Sequence, residues 1–336
     1  MAKLKDIAEA VGISMGTVSR VLNNDKSISV SPSTRTKILT VAEQLDYVPP
    51  RARNPSSRQI HVTRHPQVAE VFVELGERWS SIGEDPYYSR LRKGIEDRCF
   101  DLGVDVVATK GVDKSRLREK DGPGVIVVGR GPQVYLDEKD YWQNHLVFAD
   151  WQPQDPDFDS VCHDLTSATF DLLDQLADRG YQRIAFIGGK AFGAQTDTQE
   201  LRHAAYLSWC QTKGDYDGPL VSVQGTTTDN GYSCMVDVLS SDPRPDAVLA
   251  CTDDMAIAAY KALREADLSV PKDIAIVGFN DNPSSEMLDP PLSSVKLAPE
   301  EIGATAVDLL LERLAGRNVA KKVVLNSRMI WRKSTN

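Results

Sequence analysis

The feature that most constrains this chain lies in its first 45 residues, where two short apolar stripes are separated by a tight turn. Leu4, Ile7, Ala8 and Val11 recur at i, i+3, i+4 and i+7, the single apolar face of a short helix. Gly12 follows, where a left-handed C-cap ends a helix without steric cost. Ser14 offers its hydroxyl to the free amides of a second helix, Met15 to Asn23, which turns Val18, Val21 and Leu22 inward. A third helix is predicted from Ser31-Pro32, a cap followed by proline at the first helical position, to about Leu45. Its Ile38, Val41, Ala42 and Leu45 share one face, so three stripes close one small core.

The second helix of such a unit projects its N-terminal turn, a shape that enters a major groove. Its outward residues are Met15, Gly16, Thr17, Ser19 and Arg20. Arg20 offers a two-pronged donor to guanine and Met15 an apolar surface to a thymine methyl, while Gly16 lets backbone come close. Thr17 and Ser19 carry hydroxyls suited to phosphates. Charge distribution agrees: residues 1–58 hold nine Lys/Arg against five Asp/Glu, and the remainder holds 30 against 43. One end suits a polyanion and the other repels it.

Beyond the head, 336 residues leave room for a larger, two-part domain. Apolar runs of strand length at 68–75, 104–107, 125–128, 146–149, 184–187, 248–251 and 274–279 alternate with amphipathic helical runs. Leu91, Ile95, Cys99 and Leu102 mark one such helix and Leu172, Leu173, Leu176 and Ala177 another, ending near Gly103 and Gly180. The alternation implies parallel sheets, and there are too many crossover units for one small sheet. Two doubly wound lobes are therefore predicted, the second opening near Val161, with a recrossing near Pro290-Pro291. Ligands of such folds bind at the carboxyl ends of strands, here in the cleft between lobes. No apolar run approaches the roughly 18 residues that span a bilayer. The opening residues carry no export signal, and the five cysteines show no Cys-x-x-Cys, so a cytoplasmic protein is expected.

The run Leu4-Lys5-Asp6-Ile7-Ala8, continued by Gly12-Ile13-Ser14-Met15-Gly16-Thr17-Val18-Ser19-Arg20-Val21-Leu22-Asn23, resembles the DNA-reading head of the lactose/galactose repressor (LacI/GalR) family. Val30-Ser31, Thr34-Arg35 and Leu45-Asp46-Tyr47-Val48-Pro49 carry the likeness to the family's third helix and hinge. The body resembles the family's effector-binding core, akin to periplasmic sugar-binding proteins. Its landmarks are Asp85-Pro86-Tyr87-Tyr88, Arg183-Ile184-Ala185-Phe186-Ile187-Gly188-Gly189, Thr252-Asp253-Asp254-Met255-Ala256, Val277-Gly278-Phe279-Asn280-Asp281 and Pro290-Pro291-Leu292-Ser293-Ser294-Val295. The resemblance implies an N-terminal all-α helix-turn-helix head at residues 1–48, a hinge at 49–66 and an α/β periplasmic-binding-protein-like core at 67–336. That core is expected as two doubly wound parallel-sheet lobes, one of about 67–160 plus 292–320 and one of about 161–291 plus 321–336.

By the same resemblance Met15, Gly16 and Arg20 read bases, and Thr17, Ser19 and Asn23 touch phosphates. The hinge departs from the family's pattern, in which a short helix wedges an apolar residue, usually leucine, into the minor groove. Here Pro50-Arg51-Ala52-Arg53-Asn54-Pro55 has no leucine, and Pro55 disfavours helix at Asn54. Pro55 can itself act as a wedge with Arg51 and Arg53 on phosphates or the groove floor; a plain basic linker is the alternative.

In the body, Glu200-Leu201-Arg202 precedes an Ala204-Ala205-Tyr206 that resembles the family's helix, which implies that the fork of Arg202 bonds two sugar hydroxyls at once. Asp150, Asn280 and Asp281 directly follow strands and bring acceptor oxygens to the cleft, Tyr87 and Trp151 can stack on a ring, and Thr252 takes a polar contact. Two departures from the family's pattern stand out: Thr226-Thr227-Thr228 replaces a platform aromatic that many members carry, and Thr252 stands where lactose-type members have asparagine. The Asp85-Pro86-Tyr87-Tyr88 stretch most resembles galactose and β-galactoside regulators.

The expectation is a sequence-specific transcription regulator, a repressor of a carbohydrate-use operon, governed by a small sugar-like effector. Its partners would be a pseudo-palindromic operator, read by a homodimer because one head reads one half-site, and the sugar; its place would be on DNA at the nucleoid. No cofactor, metal or catalytic residue is expected. A sugar-binding transport protein or a sugar-modifying enzyme are the alternatives. The second finds no Gly-x-Ser-x-Gly, metal-spaced histidine pair or phosphate loop, and Gly188-Gly189-Lys190 reads as a glycine-rich turn.

Overall fold

The structure, a computed structural model, describes residues 4–22, 30–44, 70–75, 85–108, 124–129, 134–142, 144–189, 200–213, 220–224 and 228–335. It divides into a head, Met1–His65, and a body, Pro66–Asn336, each considered by itself.

In the head, α1 (Leu4–Val11), α2 (Met15–Leu22) and α3 (Pro32–Gln44) enclose Ile7, Ala8, Val18, Val21, Ile38 and Ala42, all buried. The turn forms as its residues dictate. Gly12 takes a φ of 77°, and its amide and that of Ile13 both donate to the Ala8 carbonyl, at 2.9 and 3.1 Å. Ser14 Oγ accepts from the Thr17 amide at 3.1 Å, and Ser31 Oγ from the Thr34 amide at 3.2 Å, which caps α2 and α3.

The first lobe of the body is built on β1 (Glu70–Leu75), β2 (Asp105–Ala108), β3 (Gly124–Val128), β4 (Leu146–Ala149), β5 (Asp159–His163) and β11 (Lys322–Leu325). These lie in the order β11-β5-β4-β3-β1-β2, all parallel. The second holds β6 (Ile184–Gly188), β7 (Leu220–Val223), β8 (Ala247–Ala250), β9 (Ala275–Asn280), β10 (Ser293–Lys296) and β12 (Arg328–Ile330), in the order β12-β10-β9-β8-β6-β7. Strands β3, β4, β6, β8 and β9 are buried at every residue, as sheets covered on both faces require. The longer helices are α4 (Pro86–Leu102), α5 (Leu165–Asp178), α6 (Leu201–Thr212), α7 (Thr228–Leu239), α8 (Asp253–Glu265) and α9 (Pro299–Leu314).

The lobe boundaries differ from those expected. Strand β5 and strand β11 belong to the first sheet and β10 to the second, so the chain crosses after His163, after Lys296 and after Leu325. The expected breaks at 160/161, 291/292 and 320/321 each fall a few residues early. Strand β12 is antiparallel to β10 for a topological reason: β5, β10 and β11 all run toward the crossings, so a chain that has just crossed must run away from them.

Two interior features hold the first lobe. Helix α9 lies so close on α4 that a Cβ at Gly94 would stand 2.1 Å from the Glu300 carbonyl oxygen, and one at Gly303 2.3 Å from that of Leu91. Asp159, fully buried, pairs with Arg313 at 3.2 Å and with Arg317, and accepts the Lys321 amide at 2.6 Å.

Candidate DNA-reading head and effector cleft

At the start of α2 the structure leaves Met15 52% exposed, with Gly16 and Arg20 also exposed and Thr17 and Ser19 half-buried. Thr17 Oγ1 shares a hydrogen bond with Ser14 Oγ at 2.9 Å, so its hydroxyl is held at the helix N-terminus. A Cβ added to Gly16 would meet only Ser14 Oγ, at 3.8 Å. Among the described residues of the head nothing therefore requires glycine there, although a helical glycine costs about 1 kcal/mol relative to alanine. Asn23, Arg51 and Arg53, like Pro55, lie outside the described residues.

In the body, the candidate residues gather at the carboxyl ends of strands in both lobes. On the first lobe, Asp85 caps α4 by accepting the Tyr87 amide at 2.8 Å, and this aims the Tyr87 ring. Its hydroxyl donates to Asp150 Oδ1 at 2.7 Å. Burial first, then the charge and hydrogen bond of Asp150, raise the Tyr87 pKa well above its ordinary value, so the phenol keeps its proton and acts as a donor. Asp150 itself follows β4 with a φ of 62°, anchored by its amide on the Val161 carbonyl at 2.8 Å. Trp151 stands edge-on to Phe148, ring centroids 4.9 Å apart, and is half-buried.

On the second lobe, Arg202 lies in the first turn of α6. Its Nε donates to Glu200 Oε1 at 2.7 Å and its Nη1 to the Cys251 carbonyl, while the guanidinium sits over the Phe279 ring, 5.4 Å from its centroid. Burial opposes the charge on Arg202, but Glu200, Cys251 and Asp150 outweigh it and raise the pKa. Thr252 and Asn280 directly follow Cys251 and Phe279, the two residues of the neighbouring strand ends that Arg202 touches. Thr252 Oγ1 accepts the Met255 amide at 3.3 Å, so part of its polar capacity caps α8. Asn280 ends β9, 5% exposed, at a φ of 105°.

Electrostatics link the two lobes twice. Asp150 of the first acts on Arg202 of the second, and Arg202 acts in turn on Tyr87. Asp254, in the first turn of α8, has its pKa raised by burial and then by Asp85. Asp281 is the exception among the expected contacts. Its Oδ1 lies 2.7 Å from Arg332 Nη1, and Arg332 also reaches Glu286 at 2.9 Å and the Leu292 carbonyl at 2.8 Å. The Asp281 carboxylate thus fastens the C-terminal segment. Of four non-glycine residues with positive φ in the described chain, three are Asp150, Asn280 and Asp281. Backbone held in this sparsely populated region costs about 1–3 kcal/mol each and collects at working sites.

Three residues that carry geometry here had no local signature. Glu200 orients Arg202 and also caps α6, its Oε2 accepting the His203 amide at 3.0 Å. Asp253, fully buried, accepts from Ser294 Oγ at 2.6 Å, the Asn282 amide at 2.6 Å and Ser285 Oγ at 2.9 Å; burial nevertheless raises its pKa to about 6. His163, at the first crossing, accepts the Ala298 amide of the second crossing on Nε2 at 3.0 Å.

Comparison with known proteins agrees with this arrangement. Residues 3–50 match the family described as bacterial regulatory proteins, lacI family, and residues 173–335 match the periplasmic binding protein-like domain. The HTH-type transcriptional repressor MelR of Bacillus subtilis (strain 168) is 33% identical over 347 residues, 99% of this chain and 97% of its own. Among solved structures, the transcriptional regulator CelR–cellobiose complex is 26% identical with a TM-score of 0.67, covering 99% of this chain and 100% of that one. The Lac repressor dimer bound to operator and the anti-inducer ONPF gives 26% and 0.67, with 99% of each chain covered. A helix-turn-helix head on a two-lobed ligand-binding body defines a DNA-binding transcription regulator rather than an enzyme. The chain belongs to the LacI family of bacterial regulatory proteins. Among the described residues, no helix is long and apolar enough to cross a membrane.

Proposed function

We propose that this chain is a dimeric repressor of carbohydrate-use genes whose grip on a pseudo-palindromic operator is set by a sugar held between the lobes. Asp150 and Tyr87 approach the sugar from one lobe and Arg202, Thr252 and Asn280 from the other, with Trp151 stacking on the ring; Asp281 is left to Arg332. The observation that carries the reading is the facing of Asp150 and Arg202 from opposite lobes, because a polyol that bonds both favours one lobe spacing over another. Only such a difference in affinity between two states can shift their balance. Lobe movement alters the paired hinges at 49–66, where Arg51 and Arg53 track phosphates, and hence the fit of two heads on one duplex.

At the operator, Met15, Gly16 and Arg20 face base edges, and Thr17, Ser19 and Asn23 hold phosphates. The bare backbone at Gly16, which no contact among the described residues of the head requires, supports close approach to DNA. The protein works on DNA in the cytoplasm, at the nucleoid, and the sugar releases it. The test is Arg202→Ala: operator binding of the sugar-free variant reports that the fold survives, and the response to sugar is expected to vanish. A retained response removes Arg202 from the site.

A further inference from the structure

We propose that Glu200 sets the charge class of the effector, reserving the cleft for uncharged polyols and turning away phosphorylated or carboxylated sugars. The inference rests on the effector site described above and concerns which sugars that site admits.

Arg202 is the side chain that would draw an anion in, and the structure has already spent much of its anion-binding capacity. Phosphates and carboxylates prefer two parallel N–H donors from one edge of a guanidinium. The Nε donor of Arg202 is taken by Glu200 Oε1 at 2.7 Å, and one Nη1 donor by the Cys251 carbonyl. That closes the Nε–Nη2 edge to a two-pronged anion and, among the described residues, leaves one N–H on Nη1 and two on Nη2 for hydroxyls. Charge acts in the same direction. The Glu200 and Arg202 side chains are 10% and 13% exposed, so the pair is screened little by solvent and Arg202 presents little net positive charge. Asp150 adds a second carboxylate acting on the same guanidinium, and Asp85 and Asp254 bring two more that act on each other across the lobes. Among the described residues an anionic effector would meet mostly carboxylates, whereas a neutral hydroxyl can donate to Asp150 and accept from Arg202. Glu200 is well built for this task, since its other oxygen is fixed on the His203 amide at 3.0 Å and its carboxylate cannot swing away without uncapping α6.

The experiment uses the full chain and a fluorescent operator duplex at fixed ionic strength. The probes are matched pairs: galactose against galactose 6-phosphate and galacturonate, ribose against ribose 5-phosphate, and glucose against glucose 6-phosphate. Concentrations that half-maximally change anisotropy are compared, and direct calorimetric titration of the DNA-free protein supplies the same ratios independently. The proposal expects the active sugar to be neutral and its anionic partner to be weaker by about tenfold or more. In Glu200→Gln, which keeps an acceptor for the helix cap, that ratio falls severalfold; circular dichroism reports whether the variant folds. An anionic probe that equals or beats its neutral partner in the wild-type protein overturns the proposal while leaving the effector site standing. An unchanged ratio in folded Glu200→Gln removes Glu200 as its cause. Should no probe of either class act on the wild-type protein, the reading of the effector site falls first and this inference with it.

Discussion

His163 joins two of the three chain crossings, and its chemistry predicts how the body responds to acid. The imidazole is 4% exposed and accepts the Ala298 amide on Nε2 at 3.0 Å, so its proton must reside on Nδ1. A second proton would place an N–H against the Ala298 N–H, and burial lowers the pKa from the ordinary 6.5 to about 4. As pH falls, the unfolded chain therefore takes up this proton before the folded one does. The contribution of a neutral His163 is intact above 6.5, declines as pH falls toward about 4 and is fully lost below it. Between about pH 7 and about pH 5 the loss amounts to roughly 2 kcal/mol at this site. Asp253 works in the opposite sense: its folded pKa, raised from 3.8 to about 6, makes acid stabilising there. The wild-type profile alone would blend the two. His163→Gln retains an acceptor for Ala298 and cannot titrate, so the difference between the two proteins' urea-unfolding free energies isolates the histidine. The variant should lose roughly 2 kcal/mol less than the wild type over that interval. Parallel profiles would refute a neutral, buried His163 clasping the crossings.

Other expectations follow from single contacts. Gly94→Ala drives a methyl into the Glu300 carbonyl, and the α4–α9 pair must part; thermal unfolding should show a loss of roughly 1–3 kcal/mol or more. Asp159→Asn leaves two arginines beside a neutral amide in the interior, for an expected loss of roughly 3–5 kcal/mol in the same assay. Arg20→Ala should reduce the preference for operator over random duplex by roughly ten- to a hundredfold, while a variant with unchanged preference would remove Arg20 from base reading.

How far such details were legible depends on how local their causes are. The head was readable because α1 and α2 each need only eight residues of period 3.6, and Gly12 and Ser14 mark their ends with backbone chemistry of their own. The central strands of the body were readable as uninterrupted apolar runs, since both of their faces are covered. Strand β5 was harder, because it opens with Asp159, a carboxylate made buriable by Arg313, Arg317 and the Lys321 amide more than 150 positions away. A sequence scan for apolar runs sets no strand there and places the crossing early. The same distance effect governs the candidate site. Asp150 stood out by its type and its place after a strand, and Arg202 through the resemblance of its surroundings to the family's effector core. What each is bonded to did not: Arg332 claims Asp281 from 51 positions away, and the Cys251 carbonyl claims Arg202 from 49. Both pairings lie within the second lobe and exist only once strands far apart in sequence have come together in its sheet.

The central claim is that one chain couples sugar binding to operator binding, and thermodynamic linkage makes it directly measurable. The full-length protein should bind a palindromic duplex in preference to random DNA, and one neutral sugar should weaken that binding by about fivefold or more, with the duplex weakening the sugar by the same factor. Operator affinity that stays constant across the sugar panel, although calorimetry shows one of those sugars bound, would contradict it.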